Sequence, residues 1–295
     1  MKYQFKRIAN TRAFAILALL TALLMVFSFT PIGTIPIGPL SITLNIIPVA
    51  IAAIALGPVG GLIIGCVFGI LSYLQCISIG VPSGMGAILF SINPFLAFIQ
   101  RFVPRALDGF LVGLIYDAIK KRTATRGGVS VSTALFGLIA GVILAAIGAF
   151  VIVAGVNKNN SAAAQTASLI TEGHTNPGTI YIVIGAVLAA IGAIAFIVSL
   201  LDGRKNKRIE VMPECFVAGF LSAFLNTLFF MTALVGLFGH TEYIQNLMAG
   251  RNIFVFIIAF VGINALVEII VSTLITGLVG TALHRAKVLP IKTKN

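Results

Sequence analysis

Charge is scarce in this sequence. Only 9% of its 295 residues are Asp, Glu, Lys or Arg, and 59% are hydrophobic. A soluble domain carries roughly 25% charged residues, and a water-soluble globule is excluded on that ground. The apolar residues run in stretches of spanning length, since crossing ~30 Å of hydrocarbon takes ~20 of them. In lipid the backbone must satisfy its own hydrogen bonds, which leaves helices or closed barrels. Barrel strands are ~10 residues long and alternate in polarity, whereas these runs are longer and continuously apolar. They are therefore read as helices.

Chemical groups are equally sparse. There are three cysteines, Cys66, Cys76 and Cys215, in or beside apolar runs and without metal-ligand spacing or a disulfide framework. His174 and His240 fall in outer loops and His284 at an inner helix end. The GxxxxGK[ST] phosphate loop, the HExxH metal motif and the nucleophile elbow are all missing from the sequence. Catalysis, ATP hydrolysis by the usual loop, and a bound cofactor or metal are therefore not expected. The first apolar run lacks a small-residue cleavage site and reads as a retained span.

Acidic residues number eight against 20 basic ones, and the basic ones are unevenly placed. Expected spans cover about 13–33, 46–57, 58–79, 93–119, 130–155, 178–201, 213–238 and 253–284. Lys2, Lys6, Arg7 and Arg12 precede the first. Lys120, Lys121, Arg122 and Arg126 follow the fourth, and Arg204, Lys205, Lys207 and Arg208 follow the sixth. Arg285, Lys287, Lys292 and Lys294 follow the last. With both termini inside, four residues in each of four segments put sixteen of the 20 on the cytoplasmic side, as the positive-inside rule requires. The net charge of +12 is thus a membrane signature and not a nucleic-acid one.

Arg101 and Arg105 break the rule, because they fall inside the fourth span. With Asp108 they share one helix face by i, i+4 and i+3 spacing. A central charge costs at least ~2.5 kcal/mol, so it pairs or faces a cavity. Pairing with Asp108 and contact with a ligand both remain open for these arginines. Pro104 between them kinks the helix or frees a carbonyl. Asn226 lies in the seventh span, and Asn264 and Glu268 stand i, i+4 in the last. With Asn93 at the start of the fourth span, the candidate substrate-binding set is Arg101, Arg105, Asn93, Asn226, Asn264 and Glu268. Gly57, Gly61, Gly65 and Gly69 recur every four residues, which puts them on one face where a second helix can approach closely.

Several stretches resemble a known family. These are Pro36–Thr43, Leu56-Gly57-Pro58-Val59-Gly60-Gly61, Gly65–Gly69, and Phe102-Val103-Pro104-Arg105-Ala106-Leu107-Asp108-Gly109. Asn226-Thr227 and the Asn264/Glu268 pair match more loosely. Together they resemble the substrate-binding (S) components of energy-coupling factor transporters, bacterial vitamin importers, and most of all the pantothenate-type branch. The resemblance covers about 10–122 and 212–286. It implies an all-α integral membrane protein with a six-span core. Residues 1–122 and 212–295 would form that core, and 123–211 an inserted two-span hairpin, giving eight spans.

The resemblance also implies a function. An S component binds its vitamin in an outward pocket roofed by the loops after spans one and three. It associates with a membrane coupling subunit and two ATPase subunits, and topples to release substrate inside. Ala18 and Ala22 on the first span are similar to the family's docking motif. Arg101 suits an anionic group, because a guanidinium grips a carboxylate with two parallel hydrogen bonds. The alternatives are an S component for another small metabolite, a self-sufficient proton-coupled transporter using Glu268 and Asp108, and a structural membrane protein without a ligand.

Overall fold

The computed structural model describes residues 11–30, 33–37, 40–123, 129–132, 208–248 and 253–286, with isolated positions between 156 and 197. It falls into two compact units, Met1–Gly127 with Met212–Asn295, and Gly128–Val211.

The first unit is helical. Helix α1 spans Thr11–Phe29 and α2 spans Ile46–Leu74, followed by a 3-10 turn at Gln75–Ile77. Next come α3 (Gly84–Ile92), α4 (Pro94–Thr123), α5 (Pro213–Phe238), α6 (Glu242–Met248) and α7 (Ile253–Arg285). Among the described residues, four stretches are long and apolar enough to cross a membrane: Thr11–Phe29, Ile46–Ile77, Pro213–Phe238 and Ala265–Arg285. Helix α4, at 30 residues, is long enough as well but carries the buried charges. Large apolar side chains such as Phe14, Leu19, Phe95 and Leu266 point outward, as a lipid solvent permits.

Three segments expected as loops contain regular structure. Residues 34–45 hold a hairpin of β1 (Thr34–Ile37) and β2 (Leu40–Thr43), with Thr34 opposite Thr43. Residues 80–92 hold α3 despite Pro82, Gly84 and Gly86. Ser83 caps this helix, its Oγ accepting from Gly86 N at 3.2 Å, and Met85 and Leu89 are buried on its inner side. Helix α6 forms in the connection between α5 and α7.

The expected boundary between spans two and three is a break inside α2. Gly57 has φ +76° and ψ −164°, a positive-φ conformation outside the region open to residues with a side chain. Residues eight apart on a straight helix stand ~12 Å apart. Here a methyl at Gly60 would fall 3.2 Å from Ala52 O, and one at Gly61 3.1 Å from Ala53 Cβ. The chain therefore folds back on itself at Gly57. Pro58 opens the second limb, where a missing N–H has no cost.

That second limb lies antiparallel on α4 at backbone distance. Gly61 meets Gly109, Gly65 meets the Arg105 carbonyl, and a methyl at Gly69 would stand 2.8 Å from Phe102 Cα. No side chain fits between the helices at these levels, which is how small residues bring spans together. Helix α5 packs on the flank of α4, and α7 on α5, where Ser272 Oγ donates to Gly219 O at 3.0 Å. Two apolar clusters result among the described residues. One joins Ala53–Leu56, Val112, Tyr116, Cys215 and Ala218. The other joins Met85, Leu89, Ala97, Met231, Leu234, Phe238 and Ile244. On both α4 and α5 a polar belt separates them.

In the second unit β3 (Val129–Ser132) pairs antiparallel with β4 (Arg208–Val211), Val129 opposite Val211 and Ser132 opposite Arg208. The expected fifth and sixth spans lie outside the described residues.

Gly61→Leu is expected to separate α2 from α4 and to destabilise the protein by about 1–3 kcal/mol or more. Detergent-solubilised protein should show a lower unfolding temperature, whereas Gly84→Ala, with open space around its position, should leave it in place.

Candidate functional site

The belt between the clusters is built on α4. Arg101 is 7% exposed and Arg105 5%, so both guanidiniums leave water on folding. Arg101 Nη2 donates to Ser83 Oγ at 3.1 Å, the same oxygen that caps α3. Arg105 Nη1 donates to Arg101 O at 3.0 Å and stands 3.5 Å from Gln100 O. That second carbonyl is the one freed by Pro104, whose ring nitrogen lacks the helical N–H. Helix α4 runs through Pro104 without ending, and the carbonyl that the proline frees is the one that Arg105 approaches.

Aromatic faces complete the setting. Both guanidiniums lie over the Phe230 ring, Arg101 at 5.2 Å and Arg105 at 5.0 Å, and Arg105 also lies 5.1 Å from the Phe68 ring. A desolvated cation over an aromatic face is held by ~2 kcal/mol. Hydrogen bonds from the guanidiniums go to a hydroxyl, to main-chain carbonyls and, from Arg101, to the Cys76 side chain. The Nε of each arginine has no partner. Gly86 makes room for this arrangement, since a methyl there would lie 2.9 Å from Arg101 Nη2 and 2.7 Å from Cys76 Sγ.

The carboxylates are engaged elsewhere. Ser222 Oγ donates to Asp108 Oδ2 at 2.9 Å, while Oδ1 is left without a partner. Thr43 N donates to Glu268 Oε1 at 2.7 Å, tying strand β2 to helix α7. Pairing of Asp108 with Arg105, one of the two readings from spacing, is not a direct hydrogen bond here: Asp108 Oδ2 accepts from Ser222 and Oδ1 has no partner.

The candidates from sequence separate into groups. Arg101, Arg105, Asn226 and Glu268 are all buried in the first unit. Asn226 stands one turn from Ser222 and one from Phe230 on α5, and its Oδ1 has no partner. Asn93 stands apart: it is exposed, and its Oδ1 caps α4 by accepting from Phe95 N at 3.0 Å and Leu96 N at 3.1 Å. Asn264 is on α7 one turn before Glu268, and its side chain lies outside the described residues. Ala18 and Ala22 both lie on the exposed face of α1.

Sequence reasoning missed Ser83, Phe68, Phe230, Ser222 and Thr43. Ser222 and Phe230 were reachable, because each is four residues from Asn226. Thr43 acts through its backbone, which leaves no trace in side-chain pattern. No group of three or more His, Cys, Asp or Glu able to hold a metal occurs among the described residues.

The family model described as "ECF transporter, substrate-specific component" matches residues 12–201. A protein of Leuconostoc mesenteroides subsp. mesenteroides, named pantothenate transporter PanT, is 34% identical over 112 residues, which are 38% of this chain and 51% of that protein. The chain thus spans about half the length of the curated relative it matches.

Ser222→Ala would leave Asp108 buried with neither oxygen bonded. A loss of about 1–3 kcal/mol in unfolding free energy is expected, with Ser222→Thr restoring much of it. Denaturant titration of the detergent-solubilised protein measures both.

Proposed function

This chain belongs to the substrate-specific components of ECF transporters, and from that premise we propose that it is the membrane subunit that captures a small organic acid for import, with pantothenate as the substrate. The observation that carries the reading is the pair of buried guanidiniums, Arg101 and Arg105, bonded to no carboxylate and each with an unpartnered Nε. Such a pair is costly to bury unless an anion completes it. Pantothenate is an acid with hydroxyl and amide groups, which matches a belt rich in amides and hydroxyls. The similarity to a pantothenate transporter supports the same choice of substrate.

In this reading the acid lies between α4, α5 and α7. Its carboxylate is held by Arg101 and Arg105, and its polar remainder by Asn226, Asn264 and Glu268. The hairpin β1–β2 and helix α3 close the site, because Thr43 bonds Glu268 and Ser83 bonds Arg101. The protein is a multi-pass subunit of the bacterial cell membrane. Its eight spans comprise a six-span core and the inserted hairpin of 123–211, with both termini in the cytoplasm. ATP is hydrolysed by two separate ATPase subunits, joined to this one through a membrane coupling subunit. The exposed face of α1 that carries Ala18 and Ala22 is the surface that docks it.

Titration calorimetry of the purified protein with pantothenate tests the substrate. Arg101→Ala is expected to weaken binding at least about 30-fold, because truncating one partner of a buried charge pair costs ~2–5 kcal/mol. Unchanged binding would remove Arg101 from the site. Uptake by cells that hold the coupling and ATPase subunits tests the docking face. Ala18→Trp should abolish uptake and leave binding intact.

A further inference from the structure

Gln100 is a buried polar residue that the hydrogen bonding of the fold does not account for. It is 0% exposed, and both polar atoms of its side chain, Oε1 and Nε2, lack a partner. Buried amides are nearly always bonded, and an orphaned one lowers stability. The residue adjoins Arg101, and its carbonyl is the one that Arg105 approaches across Pro104. Nearby, Arg101 Nε, Arg105 Nε and Asn226 Oδ1 are orphaned too. Five donor and acceptor atoms left open on one helical turn of α4 and on α5 describe a site complete only when something polar fills it.

We propose that Gln100 is a specificity-determining residue, and that it recognises an amide or hydroxyl group of the substrate while the two arginines hold its carboxylate. This deepens the reading above and rests on it. The orphaned atoms differ in kind, and so state a substrate class. The guanidinium Nε atoms call for an anionic acceptor, Asn226 Oδ1 calls for a donor, and Gln100 offers both. A simple aliphatic carboxylate satisfies only the first. A polyfunctional acid with a hydroxyl or amide a few bonds from its carboxylate satisfies all three. Discrimination then follows from unpaired groups: a site built to hydrogen-bond a substrate rejects an analogue lacking the group, because its own polar atoms are left bare.

The position gives a readout that a structural glutamine would not. Gln100→Met keeps the length and removes both orphaned atoms. Without ligand, the variant is expected to unfold at the same temperature as the parent protein or higher, since stability was given up for function at this position. With pantothenate, its affinity should fall about tenfold or more, and the ligand-induced rise in unfolding temperature should shrink accordingly. Hexanoate, an unbranched acid without hydroxyl or amide, should bind both proteins alike and weakly.

The experiment is thermal unfolding and titration calorimetry of the full chain in detergent, parent and variant, with those two acids. A parent protein that binds neither acid refutes the anion site itself. Pantothenate bound by the parent and bound equally by Gln100→Met refutes the role of Gln100 and leaves the arginine site standing. A lower unfolding temperature of the ligand-free variant makes Gln100 structural and overturns the proposal as well. Asn226→Leu provides a second position under the same criteria.

Discussion

Two guanidiniums buried between two apolar clusters set the terms for the rest of the molecule. A cation in that position must be surrounded by oxygens and ring faces, and the helices are arranged to bring them. Helix α4 supplies the arginines together with the carbonyls of Gln100 and Arg101 that receive one of them. Helix α3 supplies Ser83, α2 supplies Phe68 and α5 supplies Phe230. Moving any of these by a helical turn would leave a charge in an apolar interior, at a cost of several kcal/mol.

The glycines of α2 follow from that constraint. Phe68 reaches Arg105 because Gly61, Gly65 and Gly69 let the second limb of α2 touch the backbone of α4. The fold-back at Gly57 lines that limb up, and only a residue tolerant of positive φ holds the turn. Gly86 repeats the device at the end of the belt, where the space a methyl would fill is taken by Arg101. Closeness of backbones is here a means of placing side chains around a charge.

Much of the frame was legible from residues alone, for particular reasons. Continuous apolar runs mark helices, since lipid admits little else, and the bounds 213–238 emerge as expected. Arg101 and Arg105 announce themselves by being charged where charge is expensive. Helix α3 was not legible: Pro82, Gly84 and Gly86 are loop residues by local preference. They become helical because Ser83 caps the segment and the apolar cluster takes Met85 and Leu89. Asn93 is the converse, a polar residue near the arginines in sequence whose side chain serves its own helix end.

The sequence by itself determined that this protein is a set of apolar helices carrying a few costly polar groups, because hydropathy and charge are properties of single residues and short runs. It also marked a break at Gly57, and at Pro104 a kink or a free carbonyl, since both effects are local to the backbone. Only the tertiary structure decided who meets whom. That Ser222 and not Arg105 bonds Asp108, that Thr43 bonds Glu268 across 225 positions, and that Phe230 underlies both arginines depend on helix register. Register is fixed by packing between distant segments, which no local pattern encodes.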